Sequence, residues 1–149
     1  MVRKSETMAD NEFEGVIASA RQKASARNEE AAARRAAMID SIRQKRDVLH
    51  TVVHRTLMQA WRDLESAGIK ASVDAGSNTR GDWQIALRIV DKPEAPALVF
   101  SVITGLAIHL AYSREYQTAR EEVNYDLIDD ATPVAIAQIV ATFLAETLG

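Results

Sequence analysis

The feature that most constrains this chain is a proline-free stretch, residues 11–67, in which Gly15 is the only glycine. Its composition is dominated by Ala, Arg, Glu, Gln and Met, which favour the α-helix. Apolar or small residues recur at steps that are mostly sums of three and four, which is the helical period. The sequence therefore predicts helix from residue 11 to Gly68, where a glycine supplies the C-terminal stop.

The apolar face of this helix changes character along its length. From Met38 to Leu64 the apolar residues are bulky, as in a helix that packs on a core. Between Ala20 and Ala37 the seam is only alanine, which buries little surface. An unbroken helix of about 55 residues would be roughly 80 Å long, which exceeds a compact domain of this size. We therefore expect either a break near residues 27–30 or an N-terminal half that projects.

After Gly68 the apolar period changes to two, which is typical of strands. The clearest alternation covers residues 83–89, and Thr132 before Pro133 has the pattern of a helix start. The remaining predicted segments are strands at 70–75, 98–103, 106–110 and 123–127, turns at 76–81 and 104–105, and a loop at 91–96. Short connections favour antiparallel pairing. The predicted fold class is α+β, with a long N-terminal helix, an antiparallel sheet of four to five strands and a C-terminal helix in two layers.

These segments divide the chain into three parts. We predict a flexible tail at residues 1–10, a helical arm at 11–37 and an α+β domain at 38–149. The chain has no cysteine, which excludes disulfides, cysteine metal sites and thiol nucleophiles. No apolar signal region follows the N-terminal basic residues, and no apolar stretch is long enough to span a membrane. We therefore expect a cytoplasmic protein that does not bind membranes.

The charge pattern gives one alternative function. Residues 21–46 hold eight basic and three acidic side chains, although the whole chain has a net charge of −3. Such a helix could follow nucleic-acid phosphates, but no aromatic residue interleaves the arginines to stack on bases. In this alternative the protein is a nucleic-acid-associated accessory protein. The side chains that would contact phosphates are Arg21, Arg27, Arg34, Arg35, Arg43 and Arg46. The acidic segment 114–130 could bind the basic helix of another subunit. The alternative interpretation of this segment is a solvated loop.

Histidines give the second alternative, a small metal-dependent enzyme. Asp47, His50 and His54 share a helix face, so two imidazoles and a carboxylate could converge on a metal ion. The glutamate of the HExxH pattern is missing, because valine occupies its position. We interpret these residues as solvated or boundary side chains, and His109, on a strand, as structural or solvated. No cofactor is predicted.

The absence of a catalytic motif favours a non-enzymatic protein-protein interaction module. In this hypothesis the protein is an adaptor, a chaperone-like protein or an assembly subunit, and its N-terminal helix acts as the binding arm. The alanine seam is typical of a helix that meets another helix, as in a coiled coil. The expected partner is another protein or a second copy, with nucleic acid as the alternative. The candidate partner-binding residues are Phe13, Ile17, Ala20, Ala24 and Ala31.

Overall fold

The computed structural model describes residues 2–77, 82–104, 107–116 and 123–149, with side chains from residue 12 onward. Its elements, in chain order, are α1 (Val2–Val48), a π-helical segment (Leu49–Val53), α2 (His54–Ser66), β1 (Ala71–Ser77), β2 (Trp83–Ile89), β3 (Ala97–Thr104), β4 (Ile108–Glu115), β5 (Asp126–Leu127) and α3 (Pro133–Leu148). The chain divides into two compact units, Met1–Asp40 and Ser41–Gly149. This arrangement confirms the predicted α+β fold class.

All described residues of the first unit belong to α1, whose last turns extend into the second unit. The helix begins at Val2, before the predicted start at residue 11, and it runs through residues 27–30 without a break. Of the two alternatives considered for this helix, the break near residues 27–30 is therefore wrong. The physical reason is local: those residues include no proline or glycine, and Arg34 pairs with Glu30 one turn earlier at 3.8 Å. The division of the chain into tail, arm and domain stays a prediction.

A π-helical turn separates α1 from α2. Leu49, Val53 and Leu57 follow each other at intervals of four, and all three are at most 1% exposed. Since an α-helix completes a turn in 3.6 residues, four-residue steps drift around the helix. The wider π-helical turn offsets this drift and keeps the three side chains on the core face.

The end of α2 is set by a glycine in the left-handed conformation. Gly68 has φ +79°, and its N–H donates to the Glu65 carbonyl at 3.0 Å. The Ile69 N–H donates to the Leu64 carbonyl at 2.9 Å. These two bonds form a Schellman motif, which satisfies carbonyls at the helix end and confirms the predicted stop.

The five strands form one antiparallel sheet in sequential order. Both α2 and α3 contribute to a single core, in which Leu57 and Phe143 are buried together with Phe100 of β3. On β2 the side chains that enter this core are Ile85, Leu87 and Ile89. Alternation sends the intervening residues to the other face of the sheet.

Most predicted segments agree with the structure at their centres and differ at their ends. Strand β2 has the predicted bounds, while β4 continues to Glu115, beyond the predicted end at residue 110. The edge strand expected at 123–127 is reduced to two residues, Asp126 and Leu127. Helix α3 begins as predicted, with Pro133 in its first turn and the Ala135 N–H donating to Thr132 Oγ1 at 3.3 Å. Residues 78–81 and 105–106, within the predicted turns and strand, lie outside the described residues.

Candidate functional site

Three large apolar side chains are exposed next to one another on α1. Phe13 is 68% exposed, Val16 67% and Ile17 51%. Residues at i, i+3 and i+4 are neighbours on a helix surface, so these side chains form one apolar patch. A contiguous exposed apolar patch is a candidate interaction site.

The predicted arm residues continue this patch along the helix. Positions seven and eleven residues after Phe13 are Ala20 and Ala24, and both are exposed. Ala31 lies on the same side and is half-buried. We name Phe13, Val16, Ile17, Ala20 and Ala24 the arm stripe. Val16 was not among the predicted residues, although its position three residues after Phe13 was a sufficient signal.

The arginines predicted to contact nucleic acid fall into two groups. The exposed group is Arg21, Arg27, Arg34, Arg35 and Arg43. Arg34 pairs with Glu30, and the Arg35 Nε–H donates to the Ala31 carbonyl at 3.4 Å. Arg46 differs, because it is half-buried and its Cζ lies 3.9 Å from the centroid of the Trp83 ring. The structure therefore gives Arg46 a contact with the sheet.

Trp83 also contacts a histidine. The His50 ring lies edge-on to Trp83, with centroids 6.4 Å apart and an interplanar angle of 67°. Trp83 is the first residue of β2, so Arg46 and His50 connect the helical segment to the start of this strand. The result is a small aromatic and cationic cluster near the sheet.

The histidines do not assemble into a metal site in the described part of the chain. No group of three or more His, Asp or Glu side chains there could hold one metal ion, and this includes Asp47, His50 and His54. His109 is half-buried and lies opposite Ile103 in the β3–β4 ladder, on the face away from Leu110. Among the described helices, none is long and apolar enough to cross a membrane.

An apolar groove runs between α2 and α3. It has a volume of about 630 Å³. Helix α2 supplies a polar rim of Arg55, Gln59 and Asp63, and the Gln59 amide donates to Asp63 Oδ1 at 3.0 Å. The other lining residues are Thr56, Ala60, Leu64, Ala67, Ile69, Pro133, Ala137, Val140, Ala141, Leu144 and Leu148. No pattern in the sequence predicted this groove.

A smaller cavity of about 380 Å³ lies between β4, β5 and α3. Its lining includes Arg114, Asp129 and Asp130, and the Arg114 guanidinium forms an ion pair with Glu146. Both partners of this pair are substantially exposed, so the pair adds little to stability. The cavity is therefore open and polar at its rim.

Among the described residues, four buried side-chain polar atoms lack a hydrogen-bond partner, and all belong to residues on the sheet face away from the helices. They are Gln84 Oε1, an Arg88 guanidinium nitrogen, Ser101 Oγ and Ser113 Oγ. Gln84 and Ser101 lie directly opposite each other in neighbouring strands. This face therefore has hydrogen-bonding capacity that the protein leaves unused.

Comparison of the chain with protein families, with curated proteins and with solved structures found no match. The function must therefore be argued from the arm stripe, the arginines and the groove.

Proposed function

We propose that this protein is a non-enzymatic protein-protein interaction module whose N-terminal helix is the binding arm. The observation that carries the proposal is the exposure of Phe13, Val16 and Ile17 side by side on one helix. An apolar set at i, i+3, i+4 and i+7 is the pattern by which an amphipathic helix binds an apolar groove. As an adaptor, a chaperone-like protein or an assembly subunit, the protein would bind its partner through this helix.

The position of the core supports this proposal. Every residue of the buried core cluster lies between Leu49 and Phe143. The arm stripe lies outside this range of residues. Changes in the stripe should leave folding intact, so their effect on binding can be interpreted directly.

The test compares two charge insertions on the same helix. Phe13→Asp with Ile17→Asp places two charges in the arm stripe, whereas Ala18→Asp with Gln22→Asp places them on the opposite side of the helix. Each tagged protein is cross-linked in its native cells, and its associated proteins are quantified after nuclease treatment. We expect stoichiometric association to be lost only in the stripe variant. Equal association of both variants would refute the proposal.

The alternative, a nucleic-acid-associated accessory protein, is favoured by the exposure of five of the six predicted arginines. Its test is direct binding of duplex and single-stranded nucleic acid at several salt concentrations. Phosphate contacts predict an affinity that falls by about 10³–10⁵ between about 50 and 200 mM salt. Arg27→Gln with Arg34→Gln should reduce the slope, and no binding at low salt would exclude this function.

A further inference from the structure

We infer that the arm stripe of one copy binds the groove between α2 and α3 of a second copy. This inference rests on the proposed function and names the partner of the arm. It depends on the shape of the groove, on the spacing of the arm stripe and on the order of charges along both helices.

The groove has the chemistry that a helix with apolar anchors requires. Leu144 and Leu148 supply apolar surface, while Ala60, Ala137 and Ala141 line the groove with small side chains. Small residues allow two helices to approach closely. At about 630 Å³ the groove has space for several side chains rather than for one.

The arm stripe has the matching spacing. Phe13, Val16, Ile17 and Ala20 occupy i, i+3, i+4 and i+7, so three bulky anchors are followed by an alanine. All four residues are exposed, so each is available to a partner.

The order of charges selects the orientation. On the groove rim Arg55 precedes Asp63 by eight residues, which is about 12 Å along α2. Beside the arm stripe Glu14 precedes Arg21 by seven residues, which is about 10 Å along α1. A parallel arrangement of the two helices therefore pairs Glu14 with Arg55 and Arg21 with Asp63. An antiparallel arrangement would bring like charges together.

The first experiment uses the absence of cysteine from the chain. Full-length Ile17→Cys is mixed with differently tagged Ala141→Cys and oxidised with copper phenanthroline. We expect a disulfide-linked heterodimer at high yield. The matched control replaces Ala141→Cys by Gln138→Cys, which is exposed on α3 but does not line the groove. Equal yields for both mixtures would overturn the inference.

The second experiment exchanges one predicted ion pair. Glu14→Arg and Arg55→Glu are made separately and together, and self-association is measured by sedimentation equilibrium. Each single change should raise the dissociation constant by about tenfold or more, and the double variant should return to within about threefold of the original. Arg62→Glu, on α2 but outside the groove, is the control and should have little effect. Circular dichroism establishes that each variant is folded.

The outcomes separate the two proposals. In one outcome the full-length chain stays monomeric, and the variant with Phe13→Asp and Ile17→Asp no longer associates with a different protein. That outcome overturns the inference and leaves the proposed function intact. Self-association that depends on the arm stripe but not on Arg55 or Ala141 indicates contact between two arms, and also overturns the inference. Self-association that is insensitive to the arm stripe contradicts both. Rescue by the double variant together with groove-specific cross-linking supports both.

Discussion

The contact between Arg46 and Trp83 gives a stability prediction that can be worked out from the structure. The guanidinium carbon lies 3.9 Å from the ring centroid, within the range of a cation–π interaction. Such contacts contribute about 0.5–1 kcal/mol when exposed and about 2 kcal/mol or more when desolvated. Trp83 is 37% exposed and Arg46 is half-buried, so we expect a coupling near 1 kcal/mol.

A double-mutant cycle isolates this coupling. The four proteins are the original, Arg46→Ala, Trp83→Leu and the combined variant. A cycle is needed because Arg46→Ala alone also removes the packing of the aliphatic part of the side chain. Their free energies of unfolding are measured in urea by the fluorescence of Trp61, which is present in all four. Trp61 is a suitable reporter, since its Nε1–H donates to the Ala71 carbonyl at 2.9 Å in the folded second unit.

Two comparisons make the result interpretable. The exposed Arg62→Ala should change the free energy of unfolding by less than about 0.5 kcal/mol. Arg46→Lys keeps the charge but loses the planar group that stacks on the ring, so it should retain part of the coupling. A coupling below about 0.3 kcal/mol would refute the reasoning, because it would show that the two side chains contribute independently.

Three further predictions concern the folded domain. Leu57→Ala removes a side chain that is 0% exposed and should destabilise the protein by about 2–5 kcal/mol in urea unfolding, whereas an effect below about 1 kcal/mol would contradict the described core. Thr132→Ala removes the acceptor for the Ala135 N–H and should decrease the free energy of unfolding by about 1 kcal/mol in thermal unfolding, while Thr132→Ser keeps the acceptor and should have little effect. Gly68→Ala places a side chain at φ +79° and should decrease the free energy of unfolding by about 1–2 kcal/mol. Gly68→Asn should decrease it less, because asparagine tolerates the left-handed conformation better. Equal free energies of unfolding for the two variants would argue against a strained conformation.

The parts of the fold that could be predicted are those with strong local causes. Strand β2 has the predicted bounds, because large apolar residues alternate with polar or small ones through all seven positions. Helix α3 starts where predicted, since Thr132 and Pro133 carry separate and consistent signals. Both signals lie within a few residues and do not depend on distant parts of the chain.

The parts that were missed depend on tertiary packing or on weak local signals. The π-helical turn arises because three apolar residues at intervals of four must all face the core, and an apolar pattern alone fits an α-helix almost as well. The expected break at residues 27–30 followed from a size argument, although no helix-breaking residue is present there. Strand β5 is short, and its only pairings in the described ladder join Ala111 to Leu127 and Tyr112 to Asp126.

The candidate site also has one part that could be predicted from the sequence and one part that could not. Most of the arm stripe could be predicted, because helical spacing alone places its residues on one side. The groove could not, since its walls come from α2 and α3, which are separated in sequence by the entire sheet. The sequence shows Ala137 and Ala141 only as small residues of an apolar helix. Their role in a groove depends on which side of α3 faces α2.

The free energy available from the arm stripe constrains the assembly that it can form. Full burial of one large apolar side chain contributes about 1.5–3 kcal/mol. Phe13, Val16 and Ile17 are 68%, 67% and 51% exposed, so burying their exposed parts in one groove contributes about 3–6 kcal/mol. Association itself opposes binding by about 4–15 kcal/mol, so a single arm in a single groove would bind weakly. The order of charges selects a parallel contact between the arm of one copy and α2 of another, and these segments are about 40 residues apart in sequence. Because α1 leads through the π-helical segment into α2, two copies cannot make such a staggered parallel contact reciprocally. The contact is therefore heterologous and continues head to tail, and its weak affinity predicts self-association that rises gradually with protein concentration.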